Sequence, residues 1–148
     1  MTDSTRPHRD SVEAAVALIP DRWTFLVLRE CFFGVRRFAE FHRNLGVARN
    51  ILSDRLDKLV HSGVLERHRY SDRPPREEYR LTAKGDDLYG IVVALMYWAD
   101  RWLTDDPPLT LSHHADGGAV EQVLRCATCG KELGIHDVTY HVNAGHDR

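Results

Sequence analysis

Gly46 separates two stretches of apolar residues set at helical spacing, and this break restricts the fold more than any other feature of the sequence. Before it, residues 37–45 place Phe38, Phe41 and Leu45 on the inner side of a two-turn helix. After it, residues 47–62 put Ala48, Leu52, Leu56 and Leu59 on one stripe and Asn50, Ser53, Asp54 and Asp57 on the far side. Two helices joined by a short Gly-containing turn outline a helix-turn-helix. Gly63 ends the second helix, and extended segments at 64–70 and 78–81 then flank Ser71-Asp72-Arg73-Pro74-Pro75-Arg76. The double proline cannot continue a helix, so a projecting loop is expected over 71–76. A helix-turn-helix followed by a β-hairpin is a winged helix, and the expected fold class is mainly α with a small β-hairpin wing.

The flanking segments are helical too. Residues 11–19 carry Val12, Ala15, Val16 and Ile19 on one stripe and stop at Pro20. Asp21 is placed to cap a helix over 22–33 in which Trp23, Leu26, Val27, Glu30 and Phe33 share the helical period, with Gly34 as terminator. Thr82 opens a single long helix expected to run to about residue 103. Its apolar residues Leu88, Ile91, Leu95, Trp98 and Trp102 exceed what a small wing domain can cover, so they are expected to form a homodimer interface. Trp23, Phe25, Trp98 and Trp102 lining a pocket for a small-molecule effector is the competing use of the aromatics. The domain boundaries expected are 10–103 for the DNA-binding and dimerisation domain and 104–148 for a short Cys/His tail, which follows the break at Asp105-Asp106-Pro107-Pro108. No internal repeat is apparent in the sequence.

An apolar fraction of 43% and a charged fraction of 28% are those of an ordinary globular chain. No apolar run is long enough for a membrane span, and residues 1–10 lack the basic and apolar blocks of a secretory signal, so a cytoplasmic protein without membrane partners is expected. An odd cysteine count, with Cys126 and Cys129 close together and Cys31 apart, argues against an extracellular disulfide framework. The net charge of −2 conceals an asymmetry, because residues 35–80 carry eleven Lys and Arg against seven Asp and Glu. Positive charge is therefore concentrated where a phosphate-facing surface is needed. The chain holds no GxSxG, P-loop, HExxH or GxGxxG motif, and it is not expected to be an enzyme.

In this order the elements resemble the HxlR family of bacterial winged-helix regulators. Asp21-Arg22-Trp23-Thr24 with Leu28-Arg29-Glu30 is similar to the family's first signature, and Arg36-Arg37-Phe38-Ala39-Glu40 to its second. Leu52-Ser53-Asp54-Arg55-Leu56, Ser62-Gly63-Val64-Leu65-Glu66-Arg67 and Pro74-Pro75-Arg76-Glu77-Glu78-Tyr79-Arg80-Leu81-Thr82 continue the resemblance, which covers roughly residues 10–103. It implies a transcription regulator that binds double-stranded DNA as a dimer and usually represses. Many members carry a sensing cysteine before the first helix; the matching stretch here, His8-Arg9-Asp10-Ser11-Val12-Glu13, has no thiol.

A helix fits the major groove, and side chains on the exposed side of its N-terminal half reach base edges. That selects Arg49 for guanine, Asn50 for adenine, Ser53 for either, and Asp54 to accept from cytosine or to repel a phosphate. Arg55, nearer the buried stripe, binds phosphate or holds the fold through an acidic partner. Arg36 and Arg37 suit backbone contacts, and Arg73 and Arg76 bracket the stiff Pro74-Pro75 tip. The alternatives are a thiol- or zinc-responsive regulator, and a winged helix used for protein association without DNA.

Cys126-Ala127-Thr128-Cys129-Gly130 has the form of a zinc knuckle, in which two thiolates on a tight turn bind one ion and glycine relieves backbone crowding. A structural zinc needs two further ligands; His113, His114 and His136 are the candidates, Asp116 is a weaker one, and His141 and His146 lie further off. A redox-active dithiol and an unliganded pair remain open beside zinc.

Overall fold

The computed structural model describes residues 10–141 and 143. Among them the chain forms α1 (Ser11–Leu18), α2 (Arg22–Phe32), α3 (Phe38–Leu45), α4 (Arg49–His61), β1 (Leu65–Asp72), β2 (Pro75–Leu81), α5 (Ala83–Asp86) and α6 (Tyr89–Trp102), with a 3-10 turn at Ile135–Asp137. Packing divides the chain inside α6, into a compact unit of Ser11–Val92 and a second that begins at Val93. No helix of the described residues is long and apolar enough to cross a membrane.

Local signals set most helix ends. Asp21 caps α2, its carboxylate accepting the Thr24 N–H at 3.0 Å. The buried side of α2 is Thr24, Val27, Leu28, Glu30 and Cys31, a face rotated from the expected one; Trp23 and Leu26 lie at its half-buried margin. Gly46 ends α3 in the left-handed region (φ 61°), where a side chain would be strained, and its N–H reaches the His42 carbonyl. The helix expected from 47 begins at Arg49 instead, because Val47 is buried and its carbonyl is held by His42 Nδ1 at 2.9 Å. Ala48 is correspondingly exposed and stands outside the stripe.

Leu52, Leu56 and Leu59 of α4 meet Val27, Leu28 and Phe41 in one core, closed by Val64 and Leu65 at the base of the hairpin. Each such side chain contributes roughly 1.5–3 kcal/mol on leaving water. Glu30, a buried carboxylate in this core, is satisfied by Arg29 at 2.8 Å and by Asn44 Nδ2 at 2.9 Å, which ties α2 to α3.

Two expectations are corrected. The six-residue loop is absent: the strands pair as far as Asp72 and Pro75, leaving only Arg73 and Pro74, joined by a cis peptide, as the turn. Proline forbids a helix interior but is compatible with the first position of a strand. The long helix opened by Thr82 is broken after Asp86, where the ladder tightens to a three-residue bond from Leu88 N–H to the Gly85 carbonyl and Leu88 packs on the core. Gly85 permits the approach of α5 to Val64, just before β1, since a Cβ there would lie 2.3 Å from the Val64 carbonyl oxygen.

Candidate nucleic-acid interface and C-terminal tail

The N-terminal half of α4 presents Arg49, Asn50 and Ser53 to solvent. The Arg49 guanidinium stands 5.8 Å from the Phe38 ring of α3, a contact that leaves its hydrogen-bond donors free. Asp54 is turned back on its own helix, bonded to Lys58 at 3.0 Å and to Arg55; the Lys58 ammonium, followed by Arg55, holds its carboxyl below the ordinary range. Arg55 also binds Asp21 at 2.6 Å, clamping α4 to the start of α2. Both ion pairs of Arg55 are thus made within the fold.

Arg36 and Arg37 form the corner before α3. The Arg36 carbonyl accepts the Tyr79 N–H at 2.7 Å, which fastens this corner to β2. A bulge between Arg69 and Ser71 sets Tyr70 off the strand register, and the Arg37 guanidinium lies 4.4 Å above its ring. Arg37, Phe38, Tyr70 and Arg76 border an open cleft of about 440 Å³ beside the wing. Arg73 at the turn and Arg76 are both exposed, and neither forms an ion pair among the described residues. Arg67 and Arg80 differ: the first pairs with Asp57, the second with Glu78 at 2.5 Å. Sequence reading passed over Tyr70 because a bulge leaves no periodic signal, and over exposed Arg43 in the last turn of α3, which no motif marks.

On α6, Ile91, Leu95, Trp98 and Trp102 are 48%, 49%, 55% and 64% exposed and follow one another along one helix face. Leu88 departs from this set, because it packs on the core of the first unit. Trp23 and Phe25, offered as pocket residues, pack against that same core.

The tail contains two turns of the same construction, a repeat that its side chains conceal. In the first, Ser112 bridges Ala119, His113 N–H donates to the Gly118 carbonyl at 2.7 Å, and Gly117 N–H to the His113 carbonyl at 2.8 Å. In the second, Arg125 bridges Glu132, Cys126 N–H donates to Lys131 at 2.9 Å, and Gly130 N–H to Cys126 at 2.9 Å. Gly117 and Gly130 have φ of 72° and 73°. The Cys126 thiol is held below its ordinary value by the backbone N–H groups of Cys129 and Thr128. His113 Nδ1 meets Asp116 Oδ1 at 2.9 Å, and His136 lies in the 3-10 turn. Among the described residues no three His, Cys, Asp or Glu side chains are gathered closely enough to hold a metal ion; His146 lies outside the described residues. Cys31 is buried, and burial pushes its thiol up to about 12.

These features have counterparts in known proteins. An uncharacterised HTH-type transcriptional regulator of Mycobacterium tuberculosis, Rv3095, is 46% identical over 144 residues, covering 94% of this chain and 91% of the relative. The crystal structure of PA1607, described as a candidate transcription factor, superposes with a TM-score of 0.83 at 31% identity, over 95% of this chain and 99% of PA1607. The reduced form of the transcriptional regulator YodB from Bacillus subtilis matches with a TM-score of 0.57 at 26% identity, over 66% of this chain and 97% of YodB. The HxlR-like helix-turn-helix family matches residues 18–107, the span that holds α2, α3, α4, the hairpin and α6. With the helix-turn-helix, the wing and these relatives in agreement, the chain belongs to the HxlR-like helix-turn-helix family of transcriptional regulators.

Proposed function

We propose that the protein represses transcription in the cytoplasm as a homodimer seated on an inverted-repeat operator. The observation that carries this reading is the pairing pattern of α4 and the wing. Arg49, Asn50 and Ser53 stand exposed where a recognition helix meets base edges, while the neighbouring acid, Asp54, is neutralised by Lys58 and Arg55. In this reading Arg49 and Asn50 make bidentate contacts to bases, and Arg36, Arg37, Arg73 and Arg76 bind phosphates on either side. The exposed stripe of Ile91, Leu95, Trp98 and Trp102 supports pairing of two chains, since an apolar face of this kind on a regulator is covered by a second copy. Two recognition helices one or more DNA turns apart then occlude polymerase.

The test is selection of bound duplexes from a random pool, followed by anisotropy titrations at several salt concentrations. Enrichment of an inverted repeat is expected. Arg49→Ala or Asn50→Ala relaxes one position of each half-site, whereas Arg73→Ala or Arg76→Ala weakens all duplexes and lowers the salt slope by about one each. A pool that stays random, with no salt-dependent binding, leaves a winged helix that associates with protein instead.

A further inference from the structure

The two tail turns coincide atom for atom in their backbone bonding, and the coincidence extends past the turns. Val120 N–H donates to the Leu111 carbonyl at 3.4 Å, and Leu133 N–H to the Leu124 carbonyl at 2.9 Å. His113 therefore occupies the place of Cys126, Asp116 that of Cys129, and Gly117 that of Gly130. His114 falls at the place of Ala127, one step along from the ligand position, and His136 lies beyond the second turn.

This geometry is that of a metal knuckle. In each turn a left-handed glycine follows the second ligand position, Gly117 after Asp116 and Gly130 after Cys129, and its N–H closes on the carbonyl of the first. The first turn repeats the backbone with an imidazole and a carboxylate, both of which are zinc ligands in their own right. At present these two side chains hydrogen-bond to each other at 2.9 Å, and Asp116 Oδ1 also accepts the Gly118 N–H at 2.8 Å.

We propose that the two turns are the halves of one zinc ribbon, and that Cys126, Cys129, His113 and Asp116 together take a single zinc ion. His114 and His136 are excluded by their places in the repeat. Binding exchanges the His113–Asp116 hydrogen bond for two coordinate bonds and draws the first turn onto the second, with the thiol protons released to solvent. A ligand set with an imidazole and a carboxylate in place of two thiolates binds zinc more weakly than a four-thiolate ribbon, since zinc favours soft sulfur donors.

The experiment uses full-length protein without a His-tag. Zinc is titrated against a chromophoric chelator, and cobalt(II) is substituted to read coordination from its absorption. One equivalent of zinc and a tetrahedral cobalt spectrum with sulfur-to-metal charge transfer are expected. Cys126→Ser abolishes binding, His113→Ala and Asp116→Ala each weaken it at least about tenfold, and His114→Ala and His136→Ala leave it unchanged. Asp116→Cys adds a third thiolate beside His113, tightening binding and intensifying the charge-transfer band. Zinc below about 0.2 equivalents, or loss on His114→Ala or His136→Ala while His113→Ala and Asp116→Ala bind normally, overturns the assignment. Operator binding by the same variants is independent of this result, because the DNA reading rests on α4 and the wing.

Discussion

Gly85→Ala should unfold the junction between the wing and α5. An ideal Cβ at this position lies 2.3 Å from the Val64 carbonyl oxygen and 2.9 Å from Leu81 Cδ2. The first distance is roughly 1 Å short of the about 3.3 Å of a close carbon–oxygen contact. The oxygen cannot yield, because Val64 and Leu65 are fully buried and the same carbonyl accepts the Thr82 N–H at 3.1 Å. Helix α5 must therefore withdraw, stretching that bond and the one from Gly85 N–H to Thr82 Oγ1 at 3.2 Å. Overpacking costs about 1–3 kcal/mol and two weakened hydrogen bonds about 1 kcal/mol each, offset by up to about 1 kcal/mol from removing a flexible glycine from the unfolded chain. The net expectation is a loss of about 3 kcal/mol. In urea, with a slope of about 1.5 kcal/mol per molar, the midpoint falls by about 2 M. Both proteins are compared at one concentration, since the proposed dimerisation would feed into stability. Gly90→Ala is the control: nothing stands within 4 Å of its Cβ, and in α6 the added methyl should stabilise by about 0.5–1 kcal/mol. A Gly85→Ala protein within about 0.5 kcal/mol of the parent would refute the steric argument.

Asp21→Asn keeps the helix cap but breaks the ion pair to Arg55, and a loss of about 1 kcal/mol or less is expected at neutral pH. Burial raises the Asp21 pKa, but the Arg55 and Thr24 hydrogen bonds outweigh it and hold the group below its ordinary 3.8. Its contribution is thus complete above that value and lost as pH falls through the folded pKa, so acid unfolding of the variant should show a flatter limb below about pH 4. With a chelator present, a thiol reagent at neutral pH should titrate Cys126 and Cys129 rapidly and Cys31 only on unfolding; fast reaction of all three would contradict the burial of Cys31. Light scattering at micromolar concentration should report the proposed dimer for the parent chain and a monomer for Trp98→Glu, with the far-ultraviolet circular dichroism preserved.

Much of the fold was legible because its signals are local. A cap and the N–H it satisfies lie within one turn, as at Asp21 with Thr24 and Thr82 with Gly85, and a glycine that ends a helix acts on the residues beside it, as Gly46 does. The stripe of Leu52, Leu56 and Leu59 follows from helix geometry alone, and so does the placement of Arg49, Asn50 and Ser53 on the opposite side. What the tertiary structure decided depends on groups distant in the chain. Pairing of Asp72 with Pro75 closed the expected loop, packing of Leu88 against the core accompanies the break in the expected helix, and Asp21 claimed Arg55. Each of these is a contact whose partner the local sequence does not specify. The tail makes the same point most sharply: Ser112-His113-His114-Ala115-Asp116-Gly117 and Arg125-Cys126-Ala127-Thr128-Cys129-Gly130 share little beyond their last residue, yet their backbones close the same hydrogen bonds. Backbone N–H and C=O groups are common to every residue at these positions, so a repeat written in main-chain bonding becomes visible only once the chain is folded.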